Sequence, residues 1–294
     1  RQIPSLTSLW ENFLRRGASP GLRPGEALDG ALRKAGYFTE FTGTAFPRRK
    51  VDWQSFRLLV SPENAVLDDA TVSEIRNYVS SGGKLLAVGH ASLFDQSANR
   101  RTDFALKEVF GVQYSGDIPG YKQFSALPAS GIASSMRLNA AALGVKPTTG
   151  TVLAVWKSAG DAPAVVENRF GKGHCIYVSA AEIPTSESGL LQELTARLIG
   201  PPVVEVHSTR RYSFVMNRKA NDLLLYMMNR DTGSRAYVES GMAPDTKLAP
   251  GPEVVRLTLS TTAIGAIRRV DLLPAGEPVK MSRHAGSIEI PVAA

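Results

Sequence analysis

Cysteine is nearly absent from this sequence. Cys175 is the only one in 294 residues, which excludes an internal disulfide and any zinc site built on paired cysteines. The four histidines, His90, His174, His207 and His284, stand far apart, so no two have metal-ligand spacing and no metal is expected. Long apolar runs are missing too: stretches such as residues 85–88 and 223–228 fall far short of the ~20 residues of a helical span, and no membrane partner is expected. Nor is there a block of like charge. The net charge of +7 is scattered, and only Arg48-Arg49-Lys50 makes a short basic run, which reads as a solvated loop rather than a nucleic-acid footprint. No motif calls for a cofactor. A single thiol leaves the compartment open and inclines to the cytoplasm. The chain opens on Arg1 with no apolar signal core behind it, which points to a processed form or a piece of a longer protein.

What is present is an ordinary globular composition, with 43% apolar and 21% charged residues, in a chain long enough for two domains. The clearest pattern lies in residues 56–88. Phe56-Arg57-Leu58-Leu59-Val60 is a short apolar run stopped by Ser61-Pro62 and reads as a buried strand. Asp68 and Asp69 offer acidic caps. Val72, Ile75, Tyr78 and Val79 then repeat at helical spacing up to Gly82-Gly83, and Lys84-Leu85-Leu86-Ala87-Val88 gives a second strand. Strand, helix and equally apolar strand predict an open parallel α/β sheet covered on both faces.

Around this unit the sequence predicts a weak strand at 3–7, a helix at 25–35, a strand at 36–41 and a helix at 102–110. Residues 112–150, rich in Gly, Ala, Ser and Pro, read as an irregular insertion with short strands. Segments 151–156, 164–170 and 174–178 read as antiparallel strands, the last two joined by a tight turn at Gly171-Lys172-Gly173. A helix at 188–198 ends at Gly200-Pro201-Pro202, which sets the expected boundary between a domain of residues 1–201 and one of 202–294. Beyond it, short strands at 203–206, 212–217, 223–229, 254–259, 266–272 and 287–292 predict a small β-sandwich-like domain.

The stretch Leu58-Leu59-Val60-Ser61-Pro62-Glu63-Asn64-Ala65-Val66-Leu67, with Tyr78-Val79-Ser80-Ser81-Gly82-Gly83-Lys84-Leu85-Leu86-Ala87-Val88-Gly89, resembles the amidotransferase-like domain of glycoside hydrolases. In particular it resembles the trimerisation domain of family 42 β-galactosidases. Asp103-Phe104-Ala105-Leu106, Val109-Phe110-Gly111-Val112 and Gly171-Lys172-Gly173 extend the likeness over most of residues 1–200. The resemblance implies a class I glutamine amidotransferase-like, flavodoxin-like open sheet followed by a small β domain. It also implies that a catalytic (β/α)8 barrel is the part of such hydrolases not found here.

An active class I amidotransferase needs a cysteine on a sharp strand-to-helix turn, with a histidine base oriented by a glutamate. Here the turn reads Gly89-His90-Ala91-Ser92-Leu93, which puts Ala91 at the nucleophile position. The family's His-Pro-Glu falls on Ala180-Ala181-Glu182 and keeps only the glutamate. A methyl group cannot attack an amide, so no catalytic residue is assigned. Cys175, inside a strand, reads as a small buried hydrophobe. Ser92 with His90 is a weak substitute, because residues two apart round a turn rarely align for proton transfer.

The carboxyl ends of the strands are where ligands bind in such sheets. Glu63, Asn64, His90, Asp95 and Glu182 fall near that edge and form the candidate ligand pocket, with helix capping and loop satisfaction as the plainer use of the same residues. Glu63 and Glu182 are also a candidate carboxylate pair for glycoside hydrolysis. Trp10, Trp53 and Trp156 lie in separate segments and read as core rather than sugar platforms.

The leading expectation is a non-catalytic, oligomerising accessory region of a β-galactosidase-like protein, partnered by its own copies or by a barrel domain in a longer chain. The alternative is an independent carbohydrate-active enzyme or sugar-binding protein using the sheet tip, with carbohydrate as its partner. Nucleic-acid binding ranks last.

Overall fold

The computed structural model describes residues 24–39, 52–62, 66–133, 139–181, 183, 188–207, 212–219, 221–229 and 254–293. The chain divides into two compact units, one of residues 1–31 and 39–200 and one of residues 32–38 and 201–294. The predicted strand at 3–7 lies outside the described residues. Among those described, no helix is long and apolar enough to cross a membrane.

Helix α1 (Pro24–Lys34) opens the described chain. The first unit is then built on a seven-stranded sheet in the order β1-β2-β7-β6-β5-β3-β4. Strands β1 (Leu59–Ser61), β2 (Lys84–Val88) and β7 (Gly173–Val178) are parallel, with Leu59 opposite Leu85 and Leu85 opposite Cys175. The rest, β6 (Ala162–Phe170), β5 (Thr151–Trp156), β3 (Val112–Ala126) and β4 (Asn139–Pro147), pair antiparallel. The sheet is therefore mixed: it is parallel at the strand–helix–strand unit and antiparallel through the segments at 151–178, as their sequence patterns predict.

Helix α2 (Asp69–Ser80) joins β1 to β2. Its N-cap Asp68 accepts a hydrogen bond from the Thr71 amide at 2.6 Å, and it buries Val72, Ile75, Tyr78 and Val79. These pack with Leu59, Leu85, Ala87, Cys175 and Tyr177, the alternate residues on one face of the three parallel strands. The intervening residues Val60, Leu86, Val88, Ile176 and Val178 are buried as well, and helix α4 (Ser188–Ile199) runs beside β2 and β7. Both faces are covered, which is why these strands are continuously apolar.

Two segments depart from their sequence patterns. Residues 112–126 form one strand of 15 residues, not an irregular insertion. Register shifts between Tyr114 and Gly116 and between Ile118 and Tyr121 break the alternation that would have revealed it. The alanine-rich β4 is held extended partly from outside the hairpin: the Leu143 amide donates to the Ser179 carbonyl and the Ala181 amide to the Ala141 carbonyl, each at 2.7 Å. The predicted helix at 102–110 shrinks to the single turn α3 (Lys107–Phe110). Residues 37–39 of the predicted strand at 36–41 carry no regular structure, and 40–41 lie outside the described residues.

In the second unit β14 (Ser282–His284), β15 (Ser287–Ala293), β11 (Val254–Ser260) and β8 (Val204–His207) make a four-stranded antiparallel sheet. The hairpin β9 (Tyr212–Lys219) and β10 (Asp222–Asn229) and the short pair β12 (Asp271–Leu272) and β13 (Glu277–Pro278) stand beside it. Val204, Val255, Leu257, Leu259, Ile288 and Ile290 form its core, against which Leu225 and Met227 of β10 pack. The predicted strand at 266–272 is reduced to β12, and a short helix, α5 (Thr261–Ile264), follows β11.

Buried Asn168 of β6 ties the meander to α3. Its amide donates to the Glu108 and Val109 carbonyls at 2.9 and 3.0 Å, and its carbonyl accepts from the Thr149 hydroxyl at 3.0 Å. Asn168→Ala leaves those helix-end carbonyls unpaired in the core and is expected to cost about 2–4 kcal/mol, read as a lower urea midpoint. A change below roughly 0.5 kcal/mol, the size of an ordinary surface substitution, would overturn this assignment.

Candidate functional site

The residues that leave β2 form a sharp turn. Gly89 and Ser92 both adopt positive φ, 62° and 63°, and for Ser92 this backbone is strained because it carries a Cβ. The Gly89 amide donates to the Val178 carbonyl at 2.9 Å, and the Tyr177 hydroxyl donates to the Gly89 carbonyl at 2.8 Å. Burial raises the Tyr177 phenol well above its ordinary pKa and keeps it a donor. Beneath the turn Tyr177 stacks on Phe110 at 5.0 Å between ring centroids, and Phe104 meets both rings edge-on or tilted. The aromatic residues of the two motifs after the turn thus support it from below.

The positive φ falls on Ser92, one residue after the Ala91 that the resemblance puts at the nucleophile position, and its surroundings are structural. It is fully buried, its hydroxyl accepts from the Leu106 amide at 3.2 Å, and its carbonyl accepts from the Ala105 amide at 3.2 Å. Arg101 closes the turn from the other side. Its guanidinium donates to the Leu67 and Phe94 carbonyls at 3.1 and 2.8 Å and meets the Asp69 carboxylate at 2.5 Å. Ala91 is buried as well. A ligand reaching this turn meets no exposed nucleophile.

His90 points elsewhere. Its Nε2 lies 3.0 Å from Asp117 Oδ1 on β3, which also accepts from the Tyr114 hydroxyl at 2.8 Å. Arg100 bonds the Tyr114 hydroxyl and lies over its ring, 4.9 Å from the centroid. His90, Asp117, Tyr114 and Arg100 therefore form one partly exposed polar cluster that ties the turn to the long hairpin. Sequence reading found His90 alone, because nothing in the spacing links it to Asp117, 27 residues on and across a bulged strand.

Asp95 stays in its own loop. Its carboxylate accepts from the Asn99 and Ser97 amides, both at 2.9 Å, and the Asn99 bond leads the effects that hold it below the usual carboxylate range. This is loop capping. Glu63, Asn64 and Glu182, and with them the candidate carboxylate pair, lie outside the described residues. Cys175 is buried in β7 and burial pushes its thiol upward, away from the reactive thiolate. Among the described residues, no group of three His, Cys, Asp or Glu side chains could hold a metal ion.

A second polar cluster was not visible in the sequence. Glu167 of β6 accepts a two-pronged bond from Arg197 of α4, at 2.7 and 2.8 Å, and meets His174 Nε2 of β7 at 2.9 Å. Bonding to Arg197 is the main reason Glu167 sits below its ordinary pKa. His174 is also lowered, since burial, reinforced by Arg169 and Lys84, outweighs the attraction of Glu167. Neutral His174 thus donates from Nε2 to an ionised Glu167.

Two experiments check these assignments. Ser92→Ala keeps the strained turn and removes the acceptor of the Leu106 amide, so stability should fall by about 1–3 kcal/mol, while a fluorophosphonate probe should label neither parent nor variant. Labelling of Ser92 would overturn the structural role. For Glu167 and His174, both folded pKa values lie below the unfolded ones, so the unfolded state binds more protons in acid. Stability should fall as pH drops below about 6.5, the ordinary histidine value, and again below about 4.5, the ordinary glutamate value. Urea midpoints between pH 7.5 and 4 measure this, and His174→Gln should flatten the upper step; an unchanged upper step would refute the histidine's part.

Comparison with known proteins bears on this geometry. Residues 42–204 match the family model described as Beta-galactosidase trimerisation domain. Over 161 residues, half of this chain, the sequence is 27% identical to beta-galactosidase BbgII of Bifidobacterium bifidum, of which it covers 22%. A catalytic mutant of Gan42B, a GH42 beta-galactosidase from G. stearothermophilus, aligns with all of this chain and 40% of its own at a TM-score of 0.64 and 16% identity. The beta-galactosidase from Bacillus circulans sp. alkalophilus aligns with 99% of this chain and 41% of its own at a TM-score of 0.66 and 15% identity. Alpha-L-fucosidase isoenzyme 2 from Paenibacillus thiaminolyticus gives 93%, 44%, 0.63 and 16%. At these identities the structural likeness is one of fold, and the chain spans about a fifth to two fifths of the proteins it matches.

Proposed function

This chain belongs to the beta-galactosidase trimerisation domain family, and on that premise we propose that it is a non-catalytic assembly region of a β-galactosidase-like glycoside hydrolase. The observation that carries the reading is the turn after β2. It keeps a strained backbone suited to presenting a nucleophile, yet holds Ala91 and a buried Ser92 whose hydroxyl is committed to the Leu106 amide. The family description and the partial coverage of longer hydrolases support an accessory role.

In this reading residues 1–201 are a class I glutamine amidotransferase-like domain that lost its cysteine and histidine, and residues 202–294 a small sandwich-like β domain. Three parallel strands, a helix crossing between two of them and the sharp turn after β2 support that descent. The partners are two further copies of the chain and a (β/α)8 barrel in a longer polypeptide, in a cytoplasmic setting.

The experiment is light scattering at micromolar concentration. The expected mass is three times the 31.6 kDa of one chain, with no hydrolysis of a panel of aryl glycosides. A strict monomer that binds no barrel-bearing partner, or hydrolysis lost in Glu63→Gln or Glu182→Gln, would overturn the reading.

A further inference from the structure

The first unit carries a groove that neither the turn nor the assembly reading uses. It lies along the last turns of α2, at the end of the sheet where β2 begins, and has a volume of about 470 Å³, within the range of small-molecule sites. One wall is Trp53, in a short 3-10 turn at Trp53–Ser55 capped by Asp52. The other is the exposed stripe Glu74, Asn77 and Ser81, at the three- and four-residue spacing of one helix face. Tyr78 is buried among the lining residues and fixed, its hydroxyl donating to the Phe56 carbonyl at 3.0 Å and accepting from the Lys84 amide at 3.2 Å.

The chemistry of this lining is selective. Trp53 is only partly buried against the core, and its indole N–H donates to Glu74 Oε2 at 2.9 Å, which restrains the ring. The side-chain amides of Gln54 and Asn77 are exposed and uncommitted, so each offers a carbonyl acceptor and an NH2 donor. Among the described residues that line the groove there is no lysine or arginine, and Asp52 and Glu74 give it two carboxyl groups, which disfavours phosphates and carboxylates. Among the described residues the lining has no aliphatic side chain, which disfavours lipid. A fixed aromatic face beside amide and carboxylate groups suits a ligand with an apolar C–H face and a rim of neutral hydroxyls.

We propose that this groove is a saccharide-binding site for a neutral mono- or disaccharide unit, with Trp53 as the stacking platform and Gln54, Asn77 and Glu74 as the hydroxyl partners. It does not depend on the assembly reading, since all its residues belong to one chain.

The test uses the whole chain, labelled with nitrogen-15 and titrated with lactose while the tryptophan indole resonances are followed. Trp53 should shift and saturate in the millimolar range. Trp156 should not move, because its indole is buried and donates to the Ser179 hydroxyl. The Gln54→Ala/Asn77→Ala variant changes only exposed side chains and should bind about tenfold more weakly, the loss of two modest hydrogen bonds. A Trp53 signal that stays still up to the solubility limit of lactose overturns the proposal. So does a double variant that titrates like the parent, or a Trp156 shift that tracks Trp53. Light scattering on the same samples reads the assembly state separately, so failure of one idea is distinguishable from failure of the other.

Discussion

The first unit depends on one close approach, that of the end of α2 to the turn between β6 and β7. The Lys172 amide in that turn donates to the Ser80 carbonyl at 2.9 Å and the His174 amide to the Gly83 carbonyl at 3.2 Å. A Cβ at Gly173 would lie 1.9 Å from the Val79 carbonyl oxygen, and one at Gly83 would lie 2.3 Å from the Tyr78 ring. Neither position can carry a side chain without moving backbone or an aromatic core residue. This contact places β7 beside β2, and the Tyr177 hydroxyl on β7 then reaches Gly89 to fix the turn at the far end. Gly83 and Gly173, 90 residues apart in the chain, are thus two sides of one contact, and the glycine turn is tight for the sake of the helix as much as of the hairpin.

Charge in this unit ties elements together. Glu167, Arg197 and His174 join β6, α4 and β7, and His90 and Asp117 join the turn after β2 to the hairpin of β3 and β4. The pKa directions agree with that use. Glu167 is held ionised by its arginine and His174 is held neutral by burial, so at neutral pH neither is poised to move a proton. A catalytic pair has its pKa values brought toward the working pH, whereas these are moved away from it.

The sequence showed most clearly what short-range chemistry encodes. The run 56–60, the Asp68 cap, the helical repeat of Val72, Ile75 and Val79 and the strand 84–88 all carry their own signals, and the structure places α2 and β2 there. The long strand β3 was invisible because two bulges disturb the period of two, and β4 because its alanines favour a helix in isolation and are held extended by bonds of Ala141 and Leu143 to Ala181 and Ser179 after β7. The site shows the same division. His90 and the missing nucleophile at Ala91 could be read from the motif, but Asp117, Tyr114 and Arg101 are joined to the turn only by tertiary contact. Asp95 was read as part of a pocket at the sheet edge, and its carboxylate serves its own loop.

The strain at Ser92 bears most directly on how the unit came to its form. A non-glycine residue at φ 63° costs roughly 1–3 kcal/mol and persists only where its surroundings over-determine it. Here they do: Arg101 binds carbonyls on both sides of the turn, and the Ser92 backbone and hydroxyl organise the amides of Ala105 and Leu106. Those two residues lead into α3, whose Phe110 stacks on Tyr177, and from α3 the chain enters β3. Relaxing the turn would disturb the aromatic cluster and the start of the hairpin together. A geometry that in an enzyme would serve an exposed nucleophile is here held by packing alone. The strained turn therefore acts as a joint between the parallel strands and the meander, a use that fits an assembly role and requires no exposed nucleophile.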